Sequence, residues 1–293
     1  MKSMRVLLAV DASPDSRNAA GMIAHLAEPP DLHVLNVVDV EALQHAYDSP
    51  DLPAGYFETY RKEVSEAAER ILHEMKAELA PRASHIRLIA DTGDAAESIV
   101  HTAEESRVDL VILGQRGMTA TQTFLLGGVS QKVATYAPCS VLVVKEPAVS
   151  LERVLVAIDG SDESRKVVQF LARIPFKAPV RVTAALVWPG HQRGLFGPAK
   201  GPRDLRSAAK SARVKGEELL RSIMAPLAAG PYEVETEWLH GDPAFALIEA
   251  AARHQAQMIV LGARGMKAIK RFLLGSVSQK VLVHATCSVL IVR

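Results

Sequence analysis

Two stretches of the chain combine glycines at fixed spacing with hydroxyl and basic side chains, a set of groups suited to holding an anion. "GQRGMTATQTFLLGG" runs from Gly114 to Gly128, and "GARGMKAIKRFLLGS" from Gly262 to Ser276. Gly114, Gly117 and Gly127 share the spacing G-x2-G-x9-G with Gly262, Gly265 and Gly275. Each stretch starts where a short apolar run ends and finishes where a helical pattern begins. A glycine at such a place lets the backbone approach a ligand or take positive φ without a Cβ clash. The third glycine opens a helix whose first turn has unpaired N–H groups and the positive end of the helix dipole. Together these features predict a cradle for phosphate oxygens. The spacing is neither the GxxxxGK[ST] of a P-loop nor the GxGxxG of a dinucleotide-binding fold, and neither pattern occurs elsewhere in the chain.

Asp11 in "VDAS" and Asp159 in "IDGS" are each the lone acid of a turn that follows an apolar run. Two roles are open to them: contact with a ligand, or local hydrogen bonding within the turn, with Ser13 and Ser161 as helix N-caps. Arg116 and Arg264 have the forked guanidinium that matches phosphate, and solvated loop arginines are the alternative. The ten histidines are scattered without HxxxH or HExxH spacing, so no metal site is expected. Magnesium arriving with a nucleotide's phosphates remains compatible with that.

The elements that position these residues come as one unit written twice. "RVLLAVDAS" from Arg5 aligns with "RVLVAIDGS" from Arg153 at an offset of 148, and the offset also takes Gly93-Asp94 to Gly241-Asp242 and Phe124 to Phe272. This constancy indicates duplication of a self-sufficient domain. The units are placed at 1–147 and 151–293, with a linker near Lys145 to Arg153. In the first unit, buried parallel strands are expected over Arg5–Val10, Leu32–Val38, His85–Ala90, Leu110–Leu113 and Ser140–Val144. Helices are expected over about Pro14–Ala27, Phe57–Leu79, Ala95–Glu105 and Gly128–Tyr136. The second unit repeats the order, with strands near Val154, Val182, Val234, Ile259 and Val289. Strand–helix alternation predicts an α/β fold, an open parallel sheet with helices on both faces. Ligands of such sheets bind beyond the carboxyl ends of the strands, which singles out the residues after the first and fourth strands.

A net charge of +1 gives no electrostatic reason to expect nucleic acid as a partner. No stretch reaches the roughly 20 apolar residues of a membrane span, and the N-terminus lacks a cleavable leader pattern, so a cytoplasmic location without membrane contact is expected. Cys139 and Cys287, each just before a final apolar run, are expected as small buried thiols. Glycine-, proline- and base-rich Gly190–Arg206 is expected as a loop, in the place of acidic Tyr47–Phe57.

"AVDAS" and "AIDGS", each followed by G-x2-G-x9-G-[ST], resemble the universal stress protein family in its tandem two-domain form, over nearly the whole chain. The resemblance implies five-stranded parallel sheets in the order 3-2-1-4-5 and ATP binding in a stress-response role. It implies that Asp11 and Val37, with Asp159 and Leu186, face the adenosine. It also implies that Gly114, Arg116, Gly117, Gly127, Gly128, Val129 and Ser130 surround ribose and phosphates in unit one. Gly262, Arg264, Gly265, Gly275, Ser276, Val277 and Ser278 do so in unit two. The family's final strands meet across a dimer, which implies an intrachain pseudo-dimer and leaves further pairing into a homodimer open.

Gly128 departs from the family's hydroxyl residue, which Ser276 supplies in unit two. A hydrogen bond to a charged group contributes about 1.5–3 kcal/mol, so unit one is expected to bind ATP more weakly. Its backbone N–H and Ser130 are expected to preserve some binding. Trp188-Pro189 replaces the acidic Asp39 of unit one, and Trp188 is either a base-stacking or a packing residue. No nucleophile, acid–base pair or catalytic lysine stands beside the glycine loop, so the expected role is sensing or regulation. At most there is slow ATP hydrolysis or self-phosphorylation at Ser130, Ser276 or Ser278. An adenylyl transferase would carry HxGH or SGGxDS, and both are absent. A nucleotide-free interaction module is the remaining alternative.

Overall fold

The computed structural model describes residues 3–39, 56–118, 126–147, 150–174, 176–177, 179–188, 202–265 and 274–293. It divides into two compact units, Met1–Val149 and Ser150–Arg293. Unit one runs β1 (Arg5–Ala9), α1 (Pro14–Gly21), β2 (Asp31–Val38), α2 (Tyr56–Leu79), β3 (His85–Thr92), α3 (Ala95–Glu105), β4 (Leu110–Gly114), α4 (Gly128–Tyr136) and β5 (Ser140–Val144). Its strands pair in parallel in the order β3-β2-β1-β4-β5. Unit two runs β6 (Arg153–Ile158), α5 (Asp162–Arg173), β7 (Val180–Trp188), α6 (Pro202–Ala228), β8 (Tyr232–His240), α7 (Pro243–Arg253), β9 (Met258–Gly262), α8 (Ser276–His284) and β10 (Ser288–Val292). Its order is β8-β7-β6-β9-β10, again parallel. Each unit is therefore the expected five-stranded α/β sheet with helices on both faces.

Apolar β-branched runs form these strands because both sheet faces are covered. Val6, Leu7 and Leu8 of β1 have no solvent exposure, and all of Ser140–Val144 is buried. The outer strand β3 is only partly covered, and its residues alternate between exposed and half-buried. Helix starts follow local capping. Ser13, Asp94, Ser161 and Asp242 accept hydrogen bonds from backbone N–H groups in the first turns of α1, α3, α5 and α7. Before two of these caps, Gly93 and Gly241 hold φ of +135° and +112°, a region that favours glycine.

Three expectations change. The first helix is shorter than Pro14–Ala27: α1 stops at Gly21 and a 3-10 turn, Met22–His25, follows, since glycine is a poor helix former. The expected loop up to Arg206 is helical from Pro202, whose fixed φ suits a helix start. Cys139 and Cys287 are half-buried thiols, and it is Ala137 and Ala285 beside them that are buried. The remainder of the basic loop, residues 47–55 of the acidic one, Phe124 and Phe272 lie outside the described residues.

The strand register also corrects one assignment. Arg5 pairs with Asp31, 26 residues on, whereas Arg153 pairs with Arg181, 28 residues on. Two extra residues between β6 and β7 therefore shift the equivalence inside the second strands. Leu186 matches Asn36, and the counterpart of Val37 is Val187. A one-residue slip moves a side chain to the opposite sheet face, so Leu186, which is buried in the core, does not occupy the position of Val37.

Candidate functional site

The turn after the first strand is built around its aspartate. In unit one, Ser13 donates to Asp11 Oδ1 from its backbone N–H at 2.9 Å and from its hydroxyl at 2.5 Å, and the Asp11 N–H donates to Ser16 Oγ at 3.0 Å. Unit two repeats this: the Ser161 N–H and hydroxyl and the Ser164 hydroxyl donate to Asp159 Oδ1 at 3.0, 2.5 and 2.6 Å, and the Asp159 N–H donates to Ser164 Oγ at 3.0 Å. Ser16 and Ser164 are buried and hold each turn shut. The sequence reading overlooked them, although their place three residues after an N-cap serine is itself duplicated.

The other carboxylate oxygen receives the glycine loop. A Cβ on Gly117 would stand 2.8 Å from Asp11 Oδ2, and one on Gly265 would stand 2.7 Å from Asp159 Oδ2. The Met118 N–H donates to Asp11 Oδ2 at 3.0 Å. Asp11 therefore joins two loops separated by about a hundred residues of sequence. An ionised carboxylate offers roughly four acceptor positions, so this arrangement leaves acceptor capacity beyond the turn.

Loop and helix are then latched from below. Gly127 donates to the Gln115 carbonyl and Gly275 to the Ala263 carbonyl, both at 2.8 Å. The buried Ser130 hydroxyl lies 2.7 Å from the Gly114 carbonyl and 3.0 Å from that of Gln115, and Ser278 donates to the Gly262 carbonyl at 2.7 Å. Their protons are committed to the chain's own backbone. Ser130 and Ser278, 3% and 4% exposed, are thus placed as structural latches and not as phosphate donors or phosphorylation sites. Ser276 is the exposed hydroxyl of its helix's first turn.

At the helix ends, Gly127 and Gly275 are N-caps without a side-chain cap bond. The first intrahelical N–H bonds are Gln131 to Gly127 at 3.1 Å and Gln279 to Gly275 at 2.8 Å. The N–H groups of Gly128, Val129 and Ser130, and of Ser276, Val277 and Ser278, precede those bonds and have no intrahelical acceptor. Beside Gly128, a Cβ would meet nothing within 4 Å.

The first glycines answer to packing. A Cβ on Gly114 would lie 2.6 Å from the Asp15 backbone of α1, and one on Gly262 would lie 3.0 Å from Glu163 Cβ of α5. The two arginines both face an acid of the first helix turn, closely in unit one and loosely in unit two. Arg116 Nε donates to Asp15 Oδ2 at 3.2 Å, and Arg264 Nη2 stands 3.8 Å from Glu163 Oε1. Asp15 and Glu163 went unnoticed in the sequence because an acid in the first turn of a helix reads as a response to the dipole.

One turn further along α4, Lys132 Nζ bonds Asp94 Oδ2 at 3.0 Å, and Lys280 Nζ reaches Asp242 Oδ2 at 3.4 Å. The Glu97 N–H and then Lys132 hold the Asp94 carboxyl below the usual range, and the Phe245 N–H leads the same effect at Asp242. Trp188 stacks on Trp238 with ring centroids 5.8 Å apart, the packing role of the two open to it. Gly216 of α6 makes room for Trp238: a Cβ there would fall 1.8 Å from the ring. Among the described residues, no cluster of His, Cys, Asp and Glu could hold a metal ion. No helix among them is long and apolar enough to cross a membrane.

Comparison with known proteins agrees with this architecture. A universal stress protein of Mycolicibacterium smegmatis is 29% identical over 307 residues, covering 98% of this chain and 96% of its own. A Thermus aquaticus relative of the same description is 35% identical over 143 residues, 48% of this chain and 97% of that protein. The crystal structure of a universal stress protein from Archaeoglobus fulgidus shares the fold with a TM-score of 0.64 at 21% identity, covering 99% of this chain and 96% of that one. The universal stress protein family model matches twice, over residues 2–145 and 150–293, and the chain belongs to that family with two tandem copies of its domain.

Proposed function

We propose that this chain is a cytoplasmic stress-response protein that binds ATP, alone or with magnesium, and acts through its conformation or partners. The observation that carries this reading is the duplicated helix start. In both units a glycine N-cap is tied back to the loop, and three successive N–H groups stand ahead of the first intrahelical bond. Such a helix end favours anions through its N–H groups and its dipole. The backbone N–H groups of Gly128, Val129 and Ser130 would hold phosphates in unit one, and those of Ser276, Val277 and Ser278 in unit two. Asp11 and Asp159, with Val37 and its counterpart Val187, would face the adenosine. The open space at Gly128 fits a ligand group, and the exposed Ser276 hydroxyl adds a donor that unit one lacks.

The test is to denature the purified chain, count the nucleotide released, and then titrate the emptied chain with Mg-ATP. Binding at unit two that is about tenfold or more tighter than at unit one supports the reading, with Gly128→Ser raising unit one toward unit two. Absence of both released and titratable nucleotide would leave an interaction module without nucleotide. If slow self-phosphorylation accompanies binding, Ser276 is its expected site, and mass spectrometry after incubation with ATP locates it. The same reading takes the apolar final strands as pairing edges of an intrachain pseudo-dimer, and cysteine cross-linking from β5 to β10 tests that arrangement.

A further inference from the structure

Arg264 and Glu163 of unit two form an incomplete pair. Arg264 Nη2 stands 3.8 Å from Glu163 Oε1, beyond hydrogen-bond distance, and both Arg264 Nε and Glu163 Oε2 are buried with no hydrogen-bond partner. The Glu163 oxygen that faces Arg264 already has another cation: Lys166 Nζ bonds it at 2.9 Å. Unit one lacks that third member. Its Arg116 is hydrogen-bonded to Asp15 at 3.2 Å, and Asn18 stands where unit two has Lys166.

The consequence follows from the cost of stranding a buried charge. If Arg116 turned away, Asp15, whose side chain is 14% exposed, would lose its cation. If Arg264 turned away, Glu163 would keep Lys166. The Arg264 backbone adjoins the start of α8, since a Cβ on Gly275 would lie 3.4 Å from Arg264 Cα. Arg264 is thus attached to the backbone next to the helix start that has the unpaired N–H groups.

We propose that Lys166 is a positioning residue for anion binding in unit two: it holds the charge of Glu163 so that Arg264 is released to a phosphate group. This rests on the reading of the glycine loop as a nucleotide site. Arg116 stays on Asp15, so phosphate selectivity differs between the units for a reason separate from Gly128. Lys166 itself does not touch the ligand.

The test uses the full chain carrying Gly128→Asp, which puts a carboxylate in the first cradle and leaves unit two to report. Binding of ATP and of uncharged adenosine is measured by calorimetry with and without Lys166→Asn. The expected result is a loss of about tenfold for ATP with adenosine unchanged. In the complementary chain carrying Ser276→Asp, Asn18→Lys is expected to raise ATP affinity at unit one. Equal ATP affinity before and after Lys166→Asn, with ATP still bound, overturns the role of Lys166 and keeps the nucleotide reading. A parallel loss for ATP and adenosine shows damage to the turn and also overturns it. Failure of the Gly128→Asp chain alone to bind either compound, while it melts as the parent does, overturns this inference at unit two, and failure of the parent as well removes the nucleotide reading with it.

Discussion

The two glycine loops share their residues at the landmark positions but differ in how closely the neighbouring helix approaches them. At Gly114 the space a Cβ would fill is occupied by backbone, the Asp15 carbonyl carbon at 2.6 Å and its oxygen at 2.7 Å. At Gly262 the nearest atoms are Glu163 Cβ at 3.0 Å and the Arg264 carbonyl oxygen at 3.1 Å. Both neighbours are fixed by helix or loop backbone, so what differs is distance: an approach of 2.6 Å requires α1 to move, whereas 3.0–3.1 Å is relieved by a few tenths of an ångström. The two glycines therefore meet the same constraint, the approach of the first helix, to different degrees, and the ion pair beside each is likewise tighter in unit one than in unit two.

The sharpest break of this comparison is a matched pair of substitutions. Gly114→Ala is expected to destabilise unit one by about 3 kcal/mol and Gly262→Ala to destabilise unit two by about 1 kcal/mol, read by urea denaturation. Equal losses would mean that the closer approach of α1 is without consequence. Next in size is the aromatic packing found only in unit two, where Gly216 and Trp238 replace Ala68 and Ala90. Gly216→Ala is expected to cost about 2 kcal/mol, and most of that loss should vanish in a Trp238→Ala background, a coupling of about 1 kcal/mol or more. Additive losses would show that the ring and the glycine are independent.

A smaller effect is expected at the latches. Ser130 lies near two carbonyls and Ser278 near one, but a hydroxyl has one proton to donate. Ser130→Ala and Ser278→Ala should each cost about 1 kcal/mol, and a clearly larger loss at Ser130 would sharpen the difference between the units.

The last contrast concerns acid. His33 is buried in β2, and burial first of all lowers its pKa below 6.5, whereas the equivalent position in β7 holds the buried Thr183. Around His33, the Asp31 carboxylate opposes that shift, and Arg87, Arg5 and His85 add to it. With the folded pKa below the unfolded one, the unfolded chain binds more protons in the interval between them. Stability from this group is thus complete above pH 6.5 and declines as pH falls toward the folded value. Thermal melts from pH 7 downward should show unit one weakening first, and His33→Thr should remove that part of the pH dependence.

Much of the architecture was legible in the residues. The helices Ala95–Glu105 and Gly128–Tyr136 and the strand Ser140–Val144 have the limits expected for them, because caps, glycines and continuous apolar runs are local signals. The roles of site residues were legible only in part. Asp11 and Asp159 stand at the turn as expected, with Ser13 and Ser161 as the caps. Ser130 read as a phosphate ligand because position in a motif does not say where a hydroxyl proton points. Leu186 was placed one residue short because the two extra residues between β6 and β7, which move the counterpart of Val37 from Ala185 to Val187, have no local signal in the sequence.

The sequence by itself determined the duplication, the alternation of buried strands and helices, and the glycine and aspartate positions at the strand ends. These are periodic or repeated features, and reading them requires no distances. Only the tertiary structure decided that Gly114 and Gly262 serve helix packing, that Ser130 and Ser278 are bound to their own loops, and that Arg116 and Arg264 are paired to different degrees. The physical reason is that each of these is a matter of ångströms between separate elements. Asp15 and Arg116 meet only after α1 has packed against β4, and no local pattern near either residue records how closely it does so.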